Sequence, residues 1–304
     1  MSKQEALHRH QIIIKKLRRN PCTFEEILSK LRSESELYEI DLEISKRTFQ
    51  RDVKEIAALY KIEIKFNRAK KAYYISDDIE DTYSDRLFEA LDVFQLLNLN
   101  QTISQFIQFK PRKSTGTENL NGLLHAIQNR YQIQFRYEKF FPDEIDSRKV
   151  EPYLLKEFKD RWYVLAYDLE KKDFRTFGLD RIYALQILPI KFQHPQTMDP
   201  KLYYKNSFGI VGPSNGEPQD IILKLTNSFG EYIRTLPLHT SQEILEEDGR
   251  DMLIKLHLIP TYDFVFELMS MGANLKVLEP QSLADELKNR FKSALELYAD
   301  EVSN

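Results

Sequence analysis

Apolar positions in the first 76 residues fall on helical spacings and then switch to strict alternation. Residues 4–19 carry Leu7, Ile13, Ile14 and Leu17 on one side, which predicts a helix. Asn20-Pro21 ends it, because proline disfavours a helical residue before it. Thr23 and Glu26 have capping-box spacing, and Phe24, Ile27, Leu28 and Leu31 follow at i, i+3, i+4 and i+7, the stripe of a second helix. An acidic link over residues 33–44 leads to Ser45, the expected N-cap of a third helix over residues 46–60. Phe49, Val53, Ile56 and Tyr60 form its buried face, while Arg47, Gln50, Arg51 and Lys54 share the other side with Asp52 and Glu55. Ile62, Ile64 and Phe66 then alternate with Lys61, Glu63 and Lys65 as a half-buried strand. Residues 67–71 make a basic turn, and residues 72–75 return as a second strand.

An acidic break at residues 77–81 follows. Leu87, Leu91 and Phe94 mark a connector helix over residues 84–109, and Leu120, Leu123, Leu124 and Ile127 mark another after an exposed loop. Short strands at 133–138, 150–155, 162–168, 174–179 and 182–190 predict a small antiparallel barrel. Beyond a Gly- and Pro-rich stretch at 209–216 come a strand at 221–225, a helix at 229–236 and strands at 243–245 and 252–258. Asp248-Gly249 is a hairpin turn between those two strands. A helix at 262–269, a strand at 274–278 and a long helix at 283–298 complete the ferredoxin-like order. The expected chain is α+β and multidomain. Residues 1–76 form the head, 77–118 a helical connector, 119–196 the barrel with its preceding helix, 197–216 a linker, and 217–304 the last domain.

Length and composition agree with several domains: 304 residues, 42% hydrophobic and 30% charged, with only 9 Gly and 12 Pro. No apolar run approaches the roughly 20 residues needed to cross a bilayer. The N-terminus lacks the apolar core and cleavage site of a secretory signal, so a cytoplasmic protein with no membrane partner is expected. Cys22 is the single cysteine, so an intrachain disulfide is excluded and a zinc site would lack a thiolate set. The formal net charge of −3 conceals a division. Residues 1–76 hold 17 Lys+Arg against 11 Asp+Glu, a net of +6, and residues 77–216 hold 19 against 20, a net of −1. Residues 217–304 hold 8 against 16, a net of −8. A basic end on an acidic body is the asymmetry expected when one end alone meets a polyanion.

That asymmetry gives the third helix a chemical reading. In a DNA major groove arginine reads guanine edges, glutamine reads adenine and lysine meets phosphate. An amphipathic surface helix would show the same stripe, but the basic hairpin after it makes the segment a winged helix-turn-helix. The expected double-stranded DNA contacts are Ser45, Lys46, Arg47, Thr48, Gln50, Arg51 and Lys54 on the helix, with Arg68, Lys70 and Lys71 on the wing. The wording ISKRTFQRDVKEI, then IEIKF and AYYIS, resembles the winged helix-turn-helix of bacterial transcriptional regulators.

In the central region three elements occur in order: Arg148-Lys-Val-Glu-Pro-Tyr-Leu154, Arg161-Trp-Tyr-Val-Leu-Ala-Tyr167 and Arg175-Thr-Phe-Gly-Leu-Asp-Arg-Ile182. Together they resemble the WYL-domain family of transcriptional regulators. Trp-Tyr-Val stands where the family has its Trp-Tyr-Leu triplet. The segment around residues 272–280 and the helix after it look like the extension that follows WYL domains. The resemblance implies an Sm-like, SH3-type barrel that senses a nucleotide or nucleic-acid-like anion through basic and aromatic residues. Its candidates here are Tyr137, Arg148, Tyr163, Arg175 and Arg181. Guanidinium forks grip phosphate and aromatic faces stack bases.

Enzyme classes find little footing. His8 and His10 are i,i+2 on a helix and do not face one site, and His125, His194, His239 and His257 have no metal spacing. Phosphate-binding, dinucleotide-binding and nucleophile-elbow motifs are absent from the sequence. The expectation is a ligand-responsive, dimeric DNA-binding regulator without catalytic residues, cofactor or metal. A single-stranded nucleic-acid or RNA-binding protein that uses the barrel as its main surface is the alternative.

Overall fold

The computed structural model describes residues 3–38, 40–76, 116–140, 145–193, 199–213 and 216–299. The chain forms two compact units, Met1–Pro111 and Arg112–Asn304. The predicted connector helix lies outside the described residues.

In the first unit α1 (Lys3–Arg19), α2 (Phe24–Tyr38) and α3 (Lys46–Tyr60) precede a hairpin of β1 (Ile64–Asn67) and β2 (Ala72–Ile75). The cap residues act as their spacing predicts. Thr23 N donates to Glu26 Oε2 at 2.7 Å and Glu26 N to Thr23 Oγ1 at 3.2 Å. Ser45 Oγ accepts from Thr48 N at 3.2 Å, and left-handed Lys61 (φ 58°) ends α3. Ile13, Ile14, Ile27, Leu31, Leu42, Phe49 and Ile56 fill the core.

Three details depart from the periodic reading. The helix α1 is not buried on one face alone, because every residue from His8 to Ile14 is buried, Arg9, His10 and Gln11 included. Asp52 belongs to the interior rather than to the polar side of α3, since a buried guanidinium from α1 meets it there. Cys22, which no periodic element claims, pairs with the hairpin: its N donates to Tyr73 O at 3.0 Å, and Tyr73 N returns to Cys22 O at 2.7 Å. Burial raises the Cys22 thiol above its ordinary pKa, which suits an inert thiol.

The second unit begins with α4 (Leu120–Asn129), packed on a five-stranded antiparallel sheet. Its strands are β3 (Tyr131–Glu138), β4 (Ile145–Phe158), β5 (Arg161–Asp168), β6 (Asp173–Gly178) and β7 (Ile182–Lys191), in the order β6-β5-β4-β3-β7. The outer strands β6 and β7 are joined by one 3-10 turn, Leu179–Arg181. Three residues reach at most about 10 Å, whereas five flat strands set the outer pair roughly 19 Å apart. The sheet therefore curls until its edges meet at that turn. Ile133, Phe135, Val150, Val164, Ala166 and Phe177 line its core with Leu123 and Ala126 of α4, and Trp162 packs against it part-buried.

After the linker come β8 (Gln219–Thr226), α5 (Asn227–Thr235), β9 (Glu243–Glu247), β10 (Asp251–Leu258), α6 (Tyr262–Ser270), β11 (Leu275–Glu279) and α7 (Gln281–Ala299). The sheet runs β11-β8-β10-β9, antiparallel throughout. At the β9–β10 turn Gly249 takes φ 81° while Asp248 Oδ1 accepts from the amides of Arg250 and Asp251. Phe208 bridges the central sheet and α6 of the last domain, with ring centroids 5.7 Å from Phe158 on β4 and 5.6 Å from Phe264 on α6. Asp263 of α6 accepts from Ile210 N at 2.9 Å and Val211 N at 3.2 Å. A Cβ on Gly209 would stand 2.3 Å from that carboxylate, so the linker approaches α6 only as glycine. No helix among the described residues is long and apolar enough to cross a membrane.

Candidate nucleic-acid interface and central pocket

On the head, α3 and the hairpin bound an open groove of about 720 Å³ lined by Lys46, Arg47, Phe49, Gln50, Arg51, Val53, Lys54, Phe66 and Tyr73. An aromatic ladder builds its floor. Phe24 packs on Phe49 at 5.4 Å, Phe49 on Tyr73 at 4.8 Å, and Tyr73 on Phe66 at 4.8 Å. Edge-on and tilted pairs of this kind hold the hairpin against the helix.

Five of the residues expected from the helical wheel, Lys46, Arg47, Gln50, Arg51 and Lys54, share this groove and are exposed. Arg51 Nε lies 3.6 Å from Glu55, whereas Lys46, Arg47 and Lys54 meet no carboxylate among the described residues. Ser45 and Thr48 serve the helix itself, their hydroxyls 3.1 Å apart across the cap. Arg68, Lys70 and Lys71 project at the hairpin tip, outside the groove wall and exposed. The tip is shaped by Asn67, whose Oδ1 accepts from Lys70 N at 3.0 Å. Phe66, 49% exposed on the groove, is the residue that alternation alone assigned to a half-buried strand.

A second pocket, of about 400 Å³, opens on the central sheet. Tyr137, Arg148, Phe174, Arg175, Thr176 and Phe177 line it from the sheet, and Tyr203, Ile210, Val211 and Gly212 close it from the linker. Three of the five residues expected from the family resemblance thus converge: Tyr137, Arg148 and Arg175. Tyr163 and Arg181 do not lie on its wall. Tyr163 is buried in the sheet. Arg181 stands behind Tyr137, its guanidinium 5.0 Å from that ring and 4.3 Å from the ring of Phe140.

The two arginines on the wall differ in their electrostatics. Arg148 is 6% exposed and surrounded by carboxylates, at 2.5 Å from Asp146, 3.3 Å from Asp168 and 3.8 Å from Glu170. Hydrogen bonding from Lys139, with Arg148 nearby, holds the Asp146 carboxyl below its ordinary pKa. Its charge is therefore matched inside the fold. Arg175 is exposed and meets no carboxylate among the described residues. Phe174 and Tyr203, 5.7 Å apart at the same mouth, escaped motif reasoning. Phe174 adjoins Arg175 in sequence, but nothing in the linker's spacing announces Tyr203.

Comparison with known proteins finds a WYL domain at residues 118–187 and a WCX domain at residues 217–295. Protein PafB of Mycobacterium tuberculosis and of Mycobacterium bovis is 26% identical over 182 residues, 59% of this chain and 53% of PafB. The chain thus spans about half the length of the curated relatives it matches. Among solved structures, the proteasome accessory factor B/C (PafBC) of Arthrobacter aurescens aligns with 96% of this chain and 47% of that one. Its identity is 17% and its TM-score 0.39. A CRISPR Cas-related protein aligns with 88% of this chain and 77% of that one, at 16% identity and a TM-score of 0.38. The chain carries a WYL domain followed by a WCX domain and is similar to PafB over about half of that protein's length.

Proposed function

We propose that this protein is a transcriptional regulator that binds duplex DNA through its head and responds to an anionic effector through its WYL domain. In this reading the head is a winged helix-turn-helix, the central sheet an Sm-like barrel and the WCX domain ferredoxin-like. The protein acts in the cytoplasm as a homodimer on a two-fold operator, and it catalyses nothing. The observation that carries the reading is the groove on the head. Lys46, Arg47, Gln50, Arg51 and Lys54 converge there, three of them cations that no neighbouring carboxylate claims. Such a surface favours a polyanion, and a Gln among cations at the start of a helix suits base edges.

The pocket supports the sensing half. Arg175 at a mouth framed by Phe174 and Tyr203 offers a cation for phosphate beside aromatic faces for a base. A nucleotide or short oligonucleotide fits that chemistry. Effector binding changes DNA affinity only if the two arrangements of the heads bind it unequally.

The test is fluorescence anisotropy with promoter fragments from beside its own gene, against random duplex, at several salt concentrations. Specific binding that falls with salt is expected, with Arg47→Glu weakening it about 10- to 100-fold while circular dichroism stays unchanged. Equal affinity for random duplex would overturn the operator assignment. A preference for single strands that Arg175→Ala removes would favour a single-stranded nucleic-acid or RNA-binding protein working through the pocket.

A further inference from the structure

One cluster on the head serves neither the basic groove wall nor the central pocket. His10 of α1 faces Asp52 and Glu55 of α3, which sit at i and i+3 and so share one side of that helix. The His10 side chain is 1% exposed, and neither ring nitrogen makes a hydrogen bond. Its Nε2 lies 3.5 Å from Asp52 Oδ1 and 3.5 Å from Glu55 Oε2. One donor atom from each of the three residues falls within 4.8 Å of the other two.

Those distances are long for an N–H···O bond, whose range is about 2.7–3.2 Å. They match a different object. Two ligand atoms bound at about 2.0–2.1 Å to one tetrahedral cation stand roughly 3.4 Å apart. A buried imidazole without a hydrogen bond carries a cost that a metal–nitrogen bond removes. The far side of each carboxylate is already oriented. Arg9 Nε holds Asp52 Oδ2 at 2.6 Å, and Arg51 Nε approaches Glu55 Oε1 at 3.6 Å. Arg9 Nη2 also reaches Asp52 Oδ1 at 3.0 Å, which leaves that oxygen a second lone pair toward His10. Outer contacts of this kind are what fix ligands around a metal ion. Asp52 and Glu55 bring two carboxylate oxygens to the His10 ring, a mixed nitrogen and oxygen donor set that suits a divalent cation.

We propose that His10, Asp52 and Glu55 bind one divalent transition-metal ion of the zinc class, clamping α1 to the helix that lines the head groove. Three protein ligands of nitrogen and oxygen type leave a fourth position for water. The ion ties the groove helix to the helix behind it, so loading the site stiffens the head rather than creating a catalytic centre.

The experiment uses the full chain freed of metal by a chelator and then titrated with zinc by calorimetry, and separately with cobalt by visible absorption. Expected are one zinc ion per chain and the visible bands of tetrahedral cobalt. Glu55→Gln, at a side chain 44% exposed, should weaken both at least tenfold without a change in circular dichroism. His10→Gln should do the same. Absence of zinc binding at micromolar concentration overturns the proposal. So does binding that both variants retain at full affinity, which would assign the ion to a surface pair such as His257 and Asp220, 2.7 Å apart. Both readouts are taken on free protein, so failure here leaves the DNA reading untouched, and failure of DNA binding leaves this site testable.

Discussion

Arg9 of α1 grips Asp52 of α3 through both carboxylate oxygens, at 2.6 and 3.0 Å, and both side chains are wholly removed from solvent. The pair joins the first helix of the head to the helix that carries its basic groove. Removing one partner takes the bidentate contact away from the other buried charge, and breaking a buried pair in other proteins costs about 3–5 kcal/mol. Arg9→Met and Asp52→Asn should each destabilise the head by an amount of that order in urea unfolding. Variants within about 0.5 kcal/mol of the parent would show the pair to be energetically idle.

The same carboxylate sets an acid limit. Burial alone would raise the Asp52 pKa, but contacts from His10 and Arg9 outweigh it and lower the value from an ordinary 3.8. A lowered folded-state pKa contributes stability above the unfolded value, lost as pH falls through the folded one. The head should hold this contribution above pH 3.8 and lose it progressively below. Acid titration of parent and Asp52→Asn, followed by circular dichroism, should diverge above that pH and converge beneath it.

Lys156 predicts a slope of the same sign at alkaline pH in the second unit. Its ammonium lies 4.1 Å from the Tyr204 ring, and burial pushes its pKa from 10.5 down to about 8, with Asp263 partly opposing. Between those values the unfolded chain binds more protons than the folded one, so this group makes stability rise with pH across that window. Lys156→Met should therefore stabilise the protein at pH 7. The gain over the parent should shrink steadily from pH 8 to 10.5 in thermal melts.

The pocket arginines should separate cleanly. Arg175→Ala should leave the melting temperature unchanged and abolish any shift produced by a panel of mono-, di- and oligonucleotides. Arg148→Ala removes the guanidinium beside Asp168 Oδ2, on a side chain that is 0% exposed, and should lower the melting temperature with no ligand present. Equal behaviour of the two variants would contradict the division of roles drawn from their neighbours.

On the hairpin, Lys70→Ala and Lys71→Ala should each weaken duplex binding uniformly and flatten its salt dependence by about one unit of slope, the signature of phosphate contacts. Gln50→Ala should instead relax base preference and leave the slope intact. Competition with sequence-randomised duplex at two salt concentrations distinguishes these outcomes.

The elements of this chain were legible because local chemistry decides them. Thr23 with Glu26, Ser45 before Lys46 and Asp248-Gly249 each satisfy backbone groups within a few residues, so short spacing suffices. Periodicity failed where partners are remote. Asp52 reads as a polar-face residue until Arg9, 43 positions away, folds onto it, and His10 has no visible partner for the same reason. The pocket was half legible. Arg148 and Arg175 belong to contiguous motifs and Tyr137 to the strand before them, but Tyr203 and the Ile210–Gly212 wall come from a linker without periodicity. Its position depends on Asp263 of α6. Arg181 shows the converse limit, since a motif brings it near the site but the 3-10 turn at Leu179–Arg181 sets it behind Tyr137.

A two-stranded hairpin alone is marginal in water, yet here Cys22 adds a pairing to the outer side of β2 and the Phe49–Tyr73 contact fixes its inner face. The strands are therefore ordered before any partner arrives. Whatever docks between α3 and the hairpin has little conformational freedom left to quench there, so affinity is governed by charge and shape, and association by how fast the basic tip captures its target.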